Sequence, residues 1–176
     1  FAVQAPRRFG DCWAATQLWR DLGLDAFWRD ALADEAGEVP WEKVLELLAA
    51  NRLLAPRSEL SIHEKWFPQT AMDVLLDTDA RVADKDRLYR CLDRITAHKP
   101  ALEQHLAHKW QDLFGATFDL LLYDLTSTYF EGDVDAVPKA QRGYSRDHRP
   151  DCKQLVLALV VTPEGFPLTY ELFPGN

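Results

Sequence analysis

The sequence predicts an α+β (or α/β) chain: a helical N-terminal region over residues 1–116, followed by sheet-forming sequence over residues 117–176. Three observations carry this. Up to Gly115, apolar residues recur at helical intervals between Pro and Gly punctuation. At about Thr117 the pattern changes, and Phe118–Tyr129 is rich in the aromatic, Leu and Thr residues of a strand. Leu155–Val161 is then a continuous apolar run between turn residues, as expected of a strand covered on both faces.

The elements follow in order. Trp13, Leu18 and Leu22 mark a first helix ending near Gly23, and Phe27, Ala31 and Leu32 mark a second. Pro40 is placed to open a helix through Val44, Leu45, Leu47 and Leu48 to Leu54, with Pro56 as its stop. Ser58 is an N-cap candidate for a short helix carrying Ile62 and Trp66, which Pro68 ends. Leu88, Cys91, Leu92 and Ile95 form a stripe on a helix from Leu88 to His98, broken at Lys99-Pro100. Ala101–Phe114 places Leu102, Leu106, Trp110 and Leu113 on one face, and Gly115 is its natural C-cap.

Three strands are expected after that. The first is Phe118–Tyr129 and the second Leu155–Val161. Thr162-Pro163-Glu164-Gly165 is a turn, and Phe166–Phe173 is the hairpin partner. Pro167 cannot donate to a ladder, which puts this third strand at a sheet edge.

Of 176 residues, 47% are hydrophobic and 27% charged, an ordinary globular balance. No apolar run approaches the ~20 residues that a spanning helix needs, so no membrane partner is expected. Cys12, Cys91 and Cys152 are far apart and make no metal spacing, which suggests reduced thiols and a cytoplasmic location. The chain begins at Phe1 and stops after a strand-like run, which reads as a fragment of a longer protein. The net charge of −8 counts against nucleic acid globally. Locally, Lys139–Lys153 reverses it, with Lys and Arg outnumbering Asp around a Tyr and a His.

Asp124 is the leading candidate for chemistry. It sits inside the strand sequence LLYDLTSTYFEG, Leu121–Gly132, where an unpaired buried charge would cost several kcal/mol. A structural aspartate bonded to the Thr and Ser that follow is one reading; a metal ligand is the other. Two-metal phosphoryl transfer uses carboxylates on rigid elements to hold ions ~4 Å apart, so Asp124 would need further carboxylates. Glu131, Asp133 and Asp135 read as a solvated acidic loop. Arg142, Arg146, Arg149 and Lys153 are candidate phosphate contacts, with Tyr144 and His148 available for stacking or hydrogen bonding. His105 and His108 read as an exposed helix face. There is no Gly-rich phosphate loop and no nucleophile elbow.

Taken together, LLYDLTSTYFEG, then RGYSRDHRPDCKQLVLALVV, then the Gly165-Phe166-Pro167-Leu168 hairpin ending in FPGN, resemble the catalytic domain of bacterial insertion-sequence transposases of the DDE type. Upstream, LLAPRSELSIHEKWF and LYRCLDRITAHKPALEQHL resemble the helical region preceding that domain. The resemblance covers Leu53 to Asn176. It implies that residues 117–176 are the start of an RNase H-like mixed sheet, its first strand carrying the first catalytic aspartate, matched by Asp124. The second Asp, on a fourth strand, and the Glu, on a later helix, would lie beyond Asn176.

The activity implied for the parent protein is metal-dependent cleavage of a strand at the element's end and attack of the freed 3′-hydroxyl on target DNA. Two Mg²⁺ or Mn²⁺ ions, double-stranded DNA at ends and target, a homo-oligomer and a nucleoid-associated bacterial location go with it. The alternatives are a catalytically inactive remnant that at most binds DNA, another RNase H-like metal nuclease, and a helical protein-interaction module. In the fragment, Asp124 is expected partly exposed at an open sheet edge, bonded to Thr126, Ser127 or water.

Overall fold

The computed structural model describes residues 6–33, 38–143 and 148–175. The chain divides into two compact units, Phe1–Leu102 and Glu103–Asn176.

The first unit is helical. Helices α1 (Gly10–Asp21), α2 (Leu24–Ala31) and α3 (Trp41–Leu54) are followed by the short α4 (Glu59–Ser61) and α5 (Met72–Leu75), and by α6 (Lys85–Ile95). α3 packs against α1, α2 and α6 and is buried nearly all round, through Val44, Leu45, Leu47, Leu48, Ala50 and Asn51. That explains a helix apolar on every side: it is the centre of the unit.

Two helices turn faces other than those expected. α1 buries Cys12, Ala15, Thr16 and Trp19, while Trp13 and Leu18 stay about half exposed. The bulky residues suggest one stripe, but small side chains at 12, 15 and 16 give the face along which α1 packs closely. The Thr16 hydroxyl donates to the Trp13 carbonyl at 2.8 Å, so its burial leaves no orphan donor. α2 buries Leu24 and Trp28, with Leu32 just beyond it, rather than Phe27 and Ala31.

Caps and breaks are closer to expectation. Ser58 Oγ accepts from the Ser61 amide at 3.3 Å, and the chain then winds on through Ile62–Trp66 and Phe67–Gln69, burying Ile62, Trp66 and Phe67. The stretch up to Leu88 has no clear apolar period, yet it contains α5 and a 3₁₀ turn, Ala80–Ala83. Asp84 caps α6, accepting from the Asp86 and Arg87 amides at 3.1 Å each. Asp84→Ala should cost about 1 kcal/mol in urea unfolding, and Asp84→Asn much less. On α6, Leu88 and Cys91 are fully buried, whereas Leu92 is exposed and Ile95 half-buried. The Arg94 guanidinium lies 4.2 Å from the Trp41 ring centroid, a cation–π contact on α6 that the expected apolar stripe does not include.

α7 (Lys99–Phe114) carries Pro100 in its first turn, where the missing N–H costs nothing. Gly115, at φ +63, closes it as expected: its amide donates to Gln111 O at 2.9 Å and the Ala116 amide to Trp110 O at 3.2 Å.

In the second unit, β1 (Leu122–Phe130), β2 (Lys153–Val161) and β3 (Pro167–Pro174) form an antiparallel sheet in the order β1-β2-β3. β2 is central, but it is not covered on both faces as its apolar run suggests: Ala158 and Val160 are buried, whereas Leu157, Leu159 and Val161 on the opposite face are half-buried. Pro167 opens β3 at one edge, as its missing donor requires. β1 begins later than expected, at Leu122, and forms the other edge.

The register pairs Asp124 with Leu159, and Leu159 with Tyr170. Leu122, Asp124, Thr126, Leu157, Leu159, Tyr170 and Leu172 therefore share one face. The other face carries Ala158, Val160 and Thr169. The Glu103–Phe114 part of α7 meets β3 there. Trp110 Nε1 donates to the Pro167 carbonyl at 2.9 Å, and Thr169 Oγ1 donates to Glu103 at 2.7 Å. Trp110 and Phe114 both stack on Phe166, at 5.3 and 4.7 Å.

Gly175 is needed for space. A Cβ there would come within 2.4 Å of the Gln141 and Gln154 carbonyls, the two residues that bridge the connection to the base of β2. Gly175→Ala should loosen that bridge at about 1–3 kcal/mol, read as faster hydrogen exchange at the Gln141 and Gln154 amides.

Candidate functional site

Asp124 is the third residue of β1 and lies in the open. Its strand neighbours Leu122, Tyr123 and Leu125 are exposed by 46%, 71% and 54%. This agrees with the expected open sheet edge and not with the buried strand that the apolar sequence suggests: with an unpartnered edge among the described residues, β1 has neighbours on one side only. The carboxylate is therefore solvated and needs no counter-charge, which removes the cost that made it look misplaced. It has no ion pair among the described residues. The expected hydrogen bonds to Thr126 or Ser127 are not formed either, since in a regular strand Thr126 points to the same face two residues along and Ser127 to the opposite one.

The residues present do not amount to a metal site. The positions around Asp124 on its face are apolar or hydroxylic, and no group of three His, Cys, Asp or Glu side chains capable of holding an ion occurs among the described residues. On α7, His108 is exposed and His105 half-buried.

The acidic loop after β1 and the basic connection before β2, read separately in the sequence, come together. Their residues line a half-open cleft of about 550 Å³ with Glu131, Asp133, Asp135 and Asp151 on one side of the charge balance and Arg142, Arg149 and Lys153 on the other. Arg149 is the hub. Its guanidinium meets Glu131 at 2.9 Å and Asp151 at 3.1 Å, and lies 5.2 Å from the centre of the Tyr129 ring. Arg149 Nη2 also lies 3.0 Å from Cys152 Sγ. Lys153 is ion-paired to Asp135.

Hydrogen bonds from these cations set the carboxylates' charge. The Lys153 ammonium holds the Asp135 carboxyl below the usual carboxylate range, and the Arg149 guanidinium does the same for Asp151. Arg142 is exposed and adds to the field that lowers Asp135. His148 is exposed, with left-handed backbone at φ 56. Tyr144 and Arg146 lie outside the described residues.

The sequence reading missed this pairing of loop and connection. Its signal was present as EGDVD facing RPDCK across the β1–β2 register, where Phe130 pairs with Lys153. The cleft starts at Phe130, at the far end of β1 from Asp124, roughly 20 Å away at ~3.4 Å per residue.

The thiols are poor nucleophiles. Cys12, Cys91 and Cys152 are free and buried, and burial pushes Cys12 up to about 11 and Cys91 up to about 12. Among the described residues no helix is long and apolar enough to cross a membrane. No protein family, curated protein or solved structure matches this chain.

Proposed function

We propose that the chain is part of a DDE-type insertion-sequence transposase, with Asp124 the first carboxylate of its active site and residues 117–176 the opening strands of an RNase H-like domain. The observation that carries this is a solvated, unpaired carboxylate on β1, opposite an apolar central strand in an antiparallel β1-β2-β3 sheet. Together with the three sequence stretches that resemble the family, it supplies a rigid strand holding an available oxygen ligand. The chain's own contribution is to position that carboxylate; the described residues provide none of its co-ligands, so no step through a metal is derived from them. The same fact favours a second reading, in which residues 1–176 alone are catalytically inactive and at most bind DNA.

The test is nicking and joining of duplex DNA by the polypeptide of the complete reading frame, with Mg²⁺ or Mn²⁺ present. Joining through a 3′-hydroxyl end supports the transposase. Hydrolysis without joining supports another RNase H-like nuclease, and neither activity supports the inactive remnant. Asp124→Asn should reduce both activities to background while leaving unfolding free energy within about 0.5 kcal/mol, because the side chain is exposed and unpaired. A variant that retains joining would remove Asp124 from the site.

A further inference from the structure

The cleft at the end of β1 has an unusual economy. Two of its three cationic side chains, residues suited to a phosphate backbone, are held by the chain's own carboxylates: Arg149 by Glu131 and Asp151, Lys153 by Asp135. A guanidinium flanked by two carboxylates presents the same hydrogen-bonding fork that it would offer to phosphate oxygens. Exposed ion pairs are weak, so exchanging one anion for another is easy. The Tyr129 ring beside the Arg149 guanidinium gives it a support that persists when its anionic partners change.

We propose that this cleft is a self-occupied DNA-backbone surface: Glu131 and Asp135 take the places of phosphate oxygens on Arg149 and Lys153, and DNA binds by displacing them. The proposal rests on the DNA reading above and adds the contact surface and its restraint. With ~20 Å between the cleft and Asp124, and ~3.4 Å of rise per base pair, a duplex lying along β1 would meet the cleft about six base pairs from the phosphate held at Asp124. The cleft therefore grips flanking DNA and takes no part at the reacting phosphorus. It also bears on a local basic stretch in a chain of net charge −8: Arg149 and Lys153 are masked until a stronger polyanion arrives.

The experiment is fluorescence anisotropy of a labelled 30-base-pair duplex (~30, long enough to span both places) with the full chain, between roughly 50 and 200 mM salt. The variant Glu131→Gln/Asp135→Asn removes one carboxylate from each cation, and Arg149 keeps Asp151. Asp119→Asn/Glu164→Gln makes the same change in net charge at exposed positions that do not line the cleft. The cleft variant is expected to bind about fivefold tighter than this charge control, with a salt slope steeper by about one to two. Adding Arg149→Ala and Lys153→Ala together should abolish the gain. Equal affinity of the two double variants, or a gain that survives loss of both cations, would overturn the proposal.

Heparin in place of DNA separates the two readings. A gain on heparin, with no variant binding DNA, keeps the masked cleft and removes DNA as its partner. DNA binding by the wild type without any gain in the cleft variant removes the masked cleft and leaves the DNA reading standing. Failure of every variant to bind either probe removes both.

Discussion

Trp110→Ala should destabilise the second unit by about 3–5 kcal/mol, the range for deleting a buried tryptophan. Trp110 is buried on α7 and does two things at once. Its indole N–H donates to the Pro167 carbonyl at 2.9 Å, satisfying a group at the start of the β3 edge. Its ring stacks on Phe166, which Phe114 also meets, so three aromatic rings form one cluster between helix and hairpin. Truncation removes the ring, opens a cavity and leaves the carbonyl without that donor. Trp110→Phe keeps most of the apolar contact and loses the hydrogen bond, and should cost about 1 kcal/mol beyond its smaller volume. Urea unfolding followed by hydrogen exchange at β3 amides measures both. An alanine variant costing less than about 1 kcal/mol would mean that this cluster does not hold α7 to the sheet.

Glu46→Gln should stabilise the first unit above neutral pH and leave it almost unchanged in acid. Glu46 sits on α3 beside an apolar groove lined by Trp19, Leu22, Leu24 and Ala50, and its Oε1 has no hydrogen-bond partner. Burial is the largest influence and raises its carboxyl to about 7; Arg20 and Lys43 pull it down, while Asp25 and Glu42 push it up. The sign follows from the direction of the shift. Below the unfolded value near 4.5 the carboxyl is protonated in both states and costs nothing. Between there and about 7 the folded state holds a proton that the unfolded state releases, so stability falls as pH rises. Above that range the folded protein carries a buried, unsatisfied charge worth about 2–3 kcal/mol of lost stability. Glutamine removes the titration, so its Tm should exceed the wild type's by about 5–10 °C at pH 8 and match it near pH 4.5. Parallel Tm–pH curves for the two proteins would show that Glu46 does not titrate in this range.

Much of the helical unit could be read from punctuation. Pro40, Ser58, Pro100 and Gly115 mark real boundaries because each acts through local backbone geometry, which a sequence displays directly. The buried faces were harder. Trp13 and Leu18 are the conspicuous apolar residues of α1, yet small residues set its packing, and only the neighbouring α3 decides how close α1 can come. Leu92 is likewise exposed, while the Arg87 and Arg94 guanidinium groups lie over Trp41.

The candidate site divides along the same line. Asp124 stood out because a carboxylate inside an apolar strand is a local anomaly. Its exposure at an open edge was expected too, from the strand order the resemblance implies and not from the strand's own residues, which read as buried.

By itself the sequence determined the order of elements, the change from helix to sheet near Thr117, three strands of which the last two form a hairpin with Pro167 at an edge, and Asp124 as the carboxylate to explain. These are properties of short segments, governed by backbone preference and side-chain period. The tertiary structure alone decided which sheet face remains open around Asp124, which helix face is buried, and that Arg149 and Lys153 meet Glu131, Asp151 and Asp135. Those outcomes depend on contacts between residues distant along the chain, where charge and volume act through space and sequence spacing carries no measure of the distance.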